Sequence, residues 1–289
     1  MQNLKRLSAV GLILNSLSGG KTSSYIAANY PADYNIFSLV RIESCPFPDK
    51  KIRQEVEDRI QKPFVGTPED DTIIYTMLDL EQFIGSPITW VSGPTFDDVV
   101  ENRGGWLPNK LHRYCTTSMK LEPIFYWWAE NIGEPVGMRI GFRANEQRRA
   151  KKMLERANED GLLEMKATFE KRKDGKNKWE TVAWQKPLFP LIQDRIFKDQ
   201  VENFWKDKPV RFAWMNNCVG CFHRNEILLK KMFELHPEKM QWFADQEIGR
   251  GGKGTWRTGI TYEAIKAHKL QFELFENDFT ECDSGSCGI

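Results

Sequence analysis

Residues 16–24 read Ser-Leu-Ser-Gly-Gly-Lys-Thr-Ser-Ser, and this stretch decides the fold class. The apolar run before it, residues 9–14, is typical of a buried parallel strand, and residues 25–29 are typical of a helix. A small two-glycine turn between strand and helix suits phosphate, because backbone N–H groups at a helix start point outward and the helix dipole adds positive charge. We therefore expect a phosphate loop built from Ser16, Ser18, Gly19, Gly20, Lys21, Thr22 and Ser23.

This loop is not a Walker A loop. That motif places four residues between its first glycine and its Gly-Lys-Thr, and the first position is Asn15 here. The alternative to a phosphate loop is a plain connecting turn between strand and helix.

Length and composition describe an ordinary globular chain. The 289 residues are 40% hydrophobic and 28% charged, with a net charge of +1. No apolar run approaches the roughly 20 residues of a membrane span, and we expect no signal peptide and a cytoplasmic location. The six cysteines have no even framework of spacings, which argues against a secreted disulfide scaffold.

Strand-like and helix-like segments alternate through the first half of the chain. Residues 35–42, 88–92 and 136–142 favour strands, and residues 49–60 and 119–132 favour helices. This order predicts an α/β fold, with a doubly wound, mostly parallel, Rossmann-like sheet and helices on both faces. Within residues 71–85 the pattern stays open between strand (73–75) and helix (78–83). A helix over residues 96–101 is expected to be capped by Thr95.

Two domains are predicted. Residues 1–208 form the nucleotide-binding α/β domain, with a basic helix and hairpin insertion at about 147–185. Residues 209–289 form a small cysteine-bearing helical part and tail, which opens with a short strand after Val210. Residues 139–178 carry 13 Lys/Arg against 7 Asp/Glu, a net of +6, so this stretch is either a nucleic-acid-facing surface or a solvated helix and hairpin.

Two further stretches carry anion-binding chemistry. Residues 113–123 read Arg-Tyr-Cys-Thr-Thr-Ser-Met-Lys-Leu-Glu-Pro and offer Arg113, Thr116 and Lys120 at a helix start. Residues 141–149 read Gly-Phe-Arg-Ala-Asn-Glu-Gln-Arg-Arg and follow a predicted strand. There Gly141 allows close approach, and Arg143 can neutralise a phosphate or sulfate bidentately. We expect Glu146 to orient an arginine.

In this order the three stretches resemble the motifs of the PP-loop ATP pyrophosphatase (adenine nucleotide alpha hydrolase) superfamily, in its phosphoadenylyl-sulfate (PAPS) reductase-like branch. The family motifs are Ser-Gly-Gly-x-[Asp/Thr]-Ser, Cys-Thr-x-x-Leu-Lys-x-x-Pro and Gly-[Ile/Leu]-Arg-x-x-[Glu/Gln]-Ser-x-x-Arg. This chain departs from them at Thr22, where many members have Asp, and at Met119 and Gln147. The resemblance covers residues 9–150, about half of the chain.

The resemblance implies an enzyme that binds an adenine nucleotide. One branch splits ATP, with Mg²⁺, between its α- and β-phosphates to adenylate a substrate for sulfur transfer or nucleic-acid modification. Another is a thiol-dependent reductase of adenylyl sulfates, and a non-catalytic nucleotide binder is the third possibility. The implied catalytic residues are Lys21, Arg143 and, for a reductase, Cys287, because Cys287-Gly288-Ile289 is similar to the reductases' Cys-Gly-Leu tail. Implied partners are RNA or DNA, a sulfur-donor protein or a second copy of the chain.

The remaining cysteines suggest a metal centre. Cys218 and Cys221 form a Cys-x-x-Cys pair, which in a cytosolic protein favours metal, cluster or redox chemistry. Iron–sulfur reductases of the resembled family have a Cys-Cys pair where this chain has Tyr114-Cys115. A 4Fe–4S cluster on Cys115, Cys218, Cys221 and Cys282 is one expectation, with Cys287 and Cys45 as the alternative fourth ligands. Zinc with His112 or His223 as a nitrogen ligand is the rival. Free thiols, or a redox pair of Cys282 and Cys287, are further alternatives.

Overall fold

The structure is a computed structural model and describes residues 11–249 and 254–267. Its centre is a six-stranded sheet in the order β3-β2-β1-β4-β6-β5. All neighbours are parallel except β5, which runs antiparallel to β6. The strands are β1 (Ile13–Leu17), β2 (Tyr34–Ser38), β3 (Ile88–Val91), β4 (Val136–Arg139), β5 (Leu163–Lys171) and β6 (Asn177–Leu188). The predicted α/β class with a mostly parallel sheet is confirmed.

The chain adds β2 and β3 on one side of β1 and then crosses to add β4 on the other side. This reversal creates a switch point between β1 and β4, where the loops leaving the two strands separate and open a crevice. β1 begins later than predicted and continues to Leu17, which still pairs with Phe37 of β2. The phosphate loop therefore starts at the carboxyl end of a central strand, next to the crevice.

Helices cover both faces of the sheet. Neighbouring residues of β2 show the division. Ile36 packs into the apolar cluster of the helix over residues 122–131, and Phe37 packs into the cluster of the helices over residues 50–60, 72–84 and 198–205. In the described residues no helix has the length and apolarity needed to cross a membrane. The α-helices are α1 (Lys21–Asn29), α2 (Lys50–Ile60), α3 (Thr72–Ile84), α4 (Phe96–Glu101), α5 (Tyr114–Thr116), α6 (Glu122–Asn131), α7 (Gln147–Leu154), α8 (Pro190–Gln193), α9 (Lys198–Trp205), α10 (Glu226–Leu235), α11 (Pro237–Gly249) and α12 (Tyr262–Ala267).

Two segments needed the structure to be placed. Residues 71–85, open between strand and helix, form the single helix α3, because Ile73, Met77 and Leu80 recur at helical spacing and are fully buried. The prediction of a short strand after Val210 is wrong. Residues 211–217 form a loop, since Phe212 packs with the cluster on one face of the sheet and Met215 with a different, C-terminal cluster.

The basic hairpin belongs to the central sheet. The last four residues of β6 pair with β4, from Val136 with Gln185 to Arg139 with Leu188. Residues 177–184 of β6 come before this pairing, so they extend past the amino end of β4 and pair only with β5. The hairpin thus enters the sheet from the end opposite to the crevice.

The C-terminal helices share a core with the first half of the chain. Phe96 of α4, which Thr95 caps as predicted, is 2% exposed. Its ring lies 5.5 Å from the ring of Trp242, 6.4 Å from Phe243 and 5.6 Å from Trp256, measured between centroids. Edge-to-face contacts of this kind add to area burial, so α4 fixes the C-terminal part against the sheet domain.

We expect Phe96→Ala to lower the free energy of unfolding by about 3–5 kcal/mol. Removal of the ring leaves a cavity in the core that the C-terminal helices share with the sheet domain. Urea unfolding, followed by circular dichroism, measures the loss. Phe197→Ala is the control, since Phe197 is 46% exposed, and it should change stability by less than about 1 kcal/mol. Equal effects of the two substitutions would contradict a shared core.

Candidate functional site

The phosphate loop joins β1 to α1 and is ordered by its own serines. The Ser18 N–H donates to Ser23 Oγ at 3.1 Å, and Ser23 Oγ in turn donates to the Gly20 carbonyl at 3.1 Å. Gly20, which has no side chain, is the N-cap of α1. The first amides of α1 therefore face the crevice with the positive end of the helix dipole behind them.

Gly19 is required by its surroundings, and Gly20 packs directly against a neighbouring side chain. Gly19 has φ +76°, and a Cβ there would overlap Cγ2 of Ile73. A Cβ on Gly20 would lie 2.6 Å from Nδ2 of Asn216, in the loop that precedes the Cys-x-x-Cys pair. The phosphate loop is thus clamped between α3 and the segment that leads to the cysteines.

The segment after β4 lies against the phosphate loop. A Cβ on Gly141 would meet Cγ2 of Thr22 at 3.4 Å and the Ser23 nitrogen at 3.5 Å. The sequence-predicted Gly141 and Arg143 are therefore brought to the loop across the switch point between β1 and β4, although about 120 residues separate them in the chain.

Glu146 holds two arginines at this edge, as predicted. Its Oε2 accepts from Arg143 Nε at 3.1 Å and from the Arg143 backbone N–H at 2.9 Å, and its Oε1 pairs with Arg149. Burial alone would raise the pKa of Glu146, but these hydrogen bonds and charges outweigh it and hold the pKa below its ordinary value. Glu146 is therefore an ionised anchor for arginines.

The second motif supplies Lys120 through a turn of π-helix, Thr117–Leu121, between α5 and α6. Lys120 Nζ lies 2.8 Å from Oε1 of Glu69, whose side chain is 1% exposed, and 3.3 Å from Oδ1 of Asn217. π-helical turns are frequent at functional sites, because the extra residue redirects side chains. Of the three predicted residues of this motif, only Lys120 reaches the cavity at the phosphate loop; Arg113 and Thr116 line a neighbouring cavity, whose wall Lys120 also shares.

The phosphate loop, the segment after β4 and Lys120 line one cavity of about 590 Å³. It opens at the carboxyl ends of β1, β2 and β4, and its size is that of a small-molecule ligand pocket. All predicted nucleotide-binding residues except Arg113 and Thr116 line it: Ser16, Ser18, Gly19, Gly20, Lys21, Thr22, Ser23, Lys120, Gly141 and Arg143.

Sequence reasoning missed several residues of this cavity. Glu202 of α9 forms an ion pair with Lys21, and Trp205 Nε1 donates to the Lys21 carbonyl at 2.9 Å. Trp214, 39% exposed, also lines the cavity, as do Lys198, Arg149, Asn216 and Asn217. The sequence offered one signal for Trp214 and Asn216, because they lie close to the Cys-x-x-Cys pair. It offered none for Glu202, which tertiary packing alone brings to the cavity.

The cysteines line a second, smaller cavity of about 50 Å³. Cys115, Cys218 and Cys221 share its wall with His223, Arg113 and Thr116. Lys120 and Asn217 belong to the walls of both cavities. The cavity at the predicted phosphate loop and the cysteine cavity are therefore direct neighbours.

Burial favours the neutral forms of Cys115, Cys218 and His223 in this cavity. It raises the pKa of the Cys115 thiol to about 11 and that of Cys218 well above the ordinary value, where the nearby Glu69 carboxylate adds to the effect. Burial, together with the charges of Arg113 and Lys110, lowers the pKa of His223 to about 4. Among the described residues, buried His223 Nε2 has no hydrogen-bond partner. A neutral imidazole nitrogen without a partner is able to serve as a ligand or proton acceptor.

None of the four described cysteines is in a disulfide. Within residues 11–249 and 254–267, no group of three or more His, Cys, Asp or Glu side chains is arranged to hold a metal ion. Cys45 packs against the same apolar cluster as Cys115 and Cys218 but is outside the small cavity. Cys282 and Cys287, the predicted fourth ligand and reductase nucleophile, lie outside the described residues.

Comparisons with known proteins add no relative. No family model, no curated protein and no solved structure matches this chain. The arguments for function therefore rest on the site itself.

The phosphate loop gives a direct test of its packing. We expect Gly19→Ala to destabilise the fold by about 1–3 kcal/mol more than Gly161→Ala, because only the first substitution forces a methyl group onto Ile73. Gly161 is a matched control: its φ is +75°, and in the described structure a Cβ there meets no atom within 4 Å. Both variants carry the backbone cost of about 1–2 kcal/mol for a left-handed alanine. Denaturant unfolding measures the difference, and equal losses would refute the close contact.

Proposed function

We propose that this chain is an adenine-nucleotide-dependent enzyme of the PP-loop, PAPS reductase-like type. It splits ATP between the α- and β-phosphates and adenylates a substrate for sulfur transfer or nucleic-acid modification. One observation carries the proposal: the cavity lined by the phosphate loop, Lys120 and Arg143 adjoins the three-cysteine cavity through Lys120 and Asn217. Such neighbouring sites suit a two-step reaction, in which ATP bound at the first site activates the substrate and sulfur from the second site is transferred to it.

The phosphate loop binds the nucleotide's phosphates through the first amides of α1 and the side chain of Lys21. In the described structure Lys21 is already held at the loop by Glu202. Glu202 keeps the Lys21 ammonium group in place before the nucleotide binds. A phosphate then takes the place of the Glu202 carboxylate as the partner of this group.

Arg143 neutralises the charge that develops on the departing pyrophosphate. Its backbone and side chain are both bound by Glu146, so the guanidinium is oriented before the reaction and needs no reorganisation during it. Arg149, on the other oxygen of Glu146, adds a second cation to the same wall.

Mg²⁺ accompanies ATP in this proposal and supplies further neutralisation of the phosphates. The nearby carboxylates of Glu146 and Glu202 are engaged by arginine and lysine. The phosphate oxygens of the nucleotide are therefore the principal ligands that we expect for this ion.

The small cavity is the proposed place of a sulfur-bearing or metal centre. Three thiols and one unpartnered imidazole nitrogen line this cavity, and these are the donor types that soft metals prefer, although the described side chains are not arranged around an ion. Cys115, Cys218 and Cys221 would hold a 4Fe–4S cluster, with Cys282 as the proposed fourth ligand; in the zinc alternative His223 takes that place. A cluster would supply electrons or a bound sulfur atom, whereas zinc is redox-inert and would hold the thiolates in place.

Two alternative functions are compatible with the same cavity. A reductase of adenylyl sulfates would use the same phosphate loop and would need Cys287. A non-catalytic binder would keep the cavity without turnover. The products separate the three: pyrophosphate and AMP from ATP, sulfite from an adenylyl sulfate with a thiol donor, or neither.

We expect Lys21→Ala and Arg143→Ala each to lower the rate of pyrophosphate release by about 10–1000-fold, because each removes a charge that stabilises the transition state. A coupled pyrophosphate assay with ATP measures it. Arg148→Ala is the matched control, since Arg148 is exposed and outside the cavity, and it should keep near-normal activity. Full activity in both cavity variants would remove these residues from the mechanism.

Anaerobic purification tests the metal centre. We expect a brown protein with broad visible absorbance and bound iron and sulfide, and we expect Cys218→Ala and Cys221→Ala to lose both. Metal analysis reads out the site without any activity assay. A colourless, zinc-loaded protein would replace the cluster by the zinc alternative, and a metal-free protein would leave the thiols alone as the sulfur-bearing groups.

A further inference from the structure

Residues 102–113, here called the 102–113 loop, expose two large apolar side chains beside the small cavity. Trp106 is 62% exposed and Leu111 is 87% exposed, whereas Leu107 between them is 3% exposed and packs into the C-terminal core. The loop is thus anchored at its middle and presents apolar groups on either side of the anchor.

The loop has a defined structure. Asn109 Oδ1 accepts from the backbone N–H groups of Leu111 at 2.9 Å and His112 at 3.1 Å, a turn that directs Leu111 outward. The Tyr114 hydroxyl donates to the Trp106 carbonyl, and the Arg103 guanidinium lies 4.9 Å from the centre of the Tyr114 ring. The backbone that carries the exposed side chains of Trp106 and Leu111 is therefore held in position.

The charge of the loop has one sign. Residues 102–113 contain Arg103, Lys110 and Arg113 and no Asp or Glu, in a chain whose net charge is only +1. Arg113 also lines the small cavity with the cysteines. An aromatic ring and three cations at the border of the sulfur site call for an anionic partner that also offers flat apolar surface.

We propose that the 102–113 loop binds a single-stranded nucleic acid, with a base stacked on Trp106 and backbone phosphates on Lys110 and Arg113. Bases offer the flat faces and phosphates the negative charge that this surface matches. Its role as the acceptor of the transferred group rests on the proposed function; the binding itself does not. The basic hairpin β5–β6, which enters the sheet from the opposite end, is not this surface.

Fluorescence anisotropy with labelled RNA and DNA oligonucleotides of about 12 nucleotides tests the proposal without any added nucleotide cofactor. We expect Trp106→Ala to weaken binding about 10–100-fold and Trp106→Phe to retain most of the affinity, because phenylalanine still stacks. Lys110→Gln should weaken binding and reduce the slope of log Kd against log salt by about 0.7, the value for one phosphate contact on a single strand.

The hairpin offers a matched control. Trp179 is 52% exposed, and Lys166 Nζ lies 5.9 Å from the centre of its ring. Trp179→Ala and Lys173→Gln therefore remove the same chemistry elsewhere, and we expect unchanged oligonucleotide binding. Because all substituted side chains are exposed, thermal unfolding should show every variant folded.

Three results would overturn the proposal: no oligonucleotide binding by the wild-type chain, an equal loss in the hairpin variants, or a Trp106-dependent interaction with anionic vesicles or polyglutamate but not with oligonucleotides. The outcomes separate the two proposals. Oligonucleotide binding without pyrophosphate release defeats the proposed function alone, and pyrophosphate release without oligonucleotide binding defeats the acceptor surface alone.

Discussion

The contact between Gly20 and Asn216 governs the rest of the site. The side chain of Asn216 packs directly on the Gly20 backbone, so that a methyl group on Gly20 would lie 2.6 Å from the Asn216 Nδ2. This contact fixes the segment that carries Trp214, Asn217 and the Cys-x-x-Cys pair against the start of α1. Because the same segment ends in the small cavity, the position of the cysteines depends on the position of the phosphate loop.

Electrostatic pairing prepares the cavity for an anion. Lys21 pairs with Glu202, Lys120 with Glu69, and Arg143 and Arg149 share Glu146. Each cation is held by a carboxylate that also reduces its repulsion from the others. A bound phosphate must replace part of this pairing, so the net gain is smaller than the number of cations suggests, and the advantage is their fixed placement.

Local sequence signals predicted the half of the site that short motifs carry. The two glycines, the small hydroxyl residues and Lys21 lie in one strand–turn–helix unit, whose chemistry is readable from neighbouring residues. Parallel-sheet topology then brought Gly141 and Arg143 to it, because strand ends meet at one edge. Glu202 was out of reach, since 181 residues separate it from Lys21 and only packing of α9 brings them together.

The fold shows the same division between local and tertiary information. The sequence of α3 did not decide between helix and strand, because a run with two adjacent isoleucines also suits a strand. The burial of residues at helical spacing decided it. Residues 211–217 have the apolar pattern of a strand but form a loop, because their apolar side chains pack into two separate hydrophobic clusters. Arg113 and Thr116 were expected beside the nucleotide, but the π-helical turn directs Lys120 alone to that cavity and leaves them with the cysteines.

The wall made by Lys120 and Asn217 has a kinetic consequence for the chemistry we propose. An activated, water-sensitive adenylate formed on one side of it is only a side chain's width from the sulfur donor on the other. Capture of the intermediate then needs no diffusion through solvent, so hydrolysis competes poorly and little ATP is consumed without product.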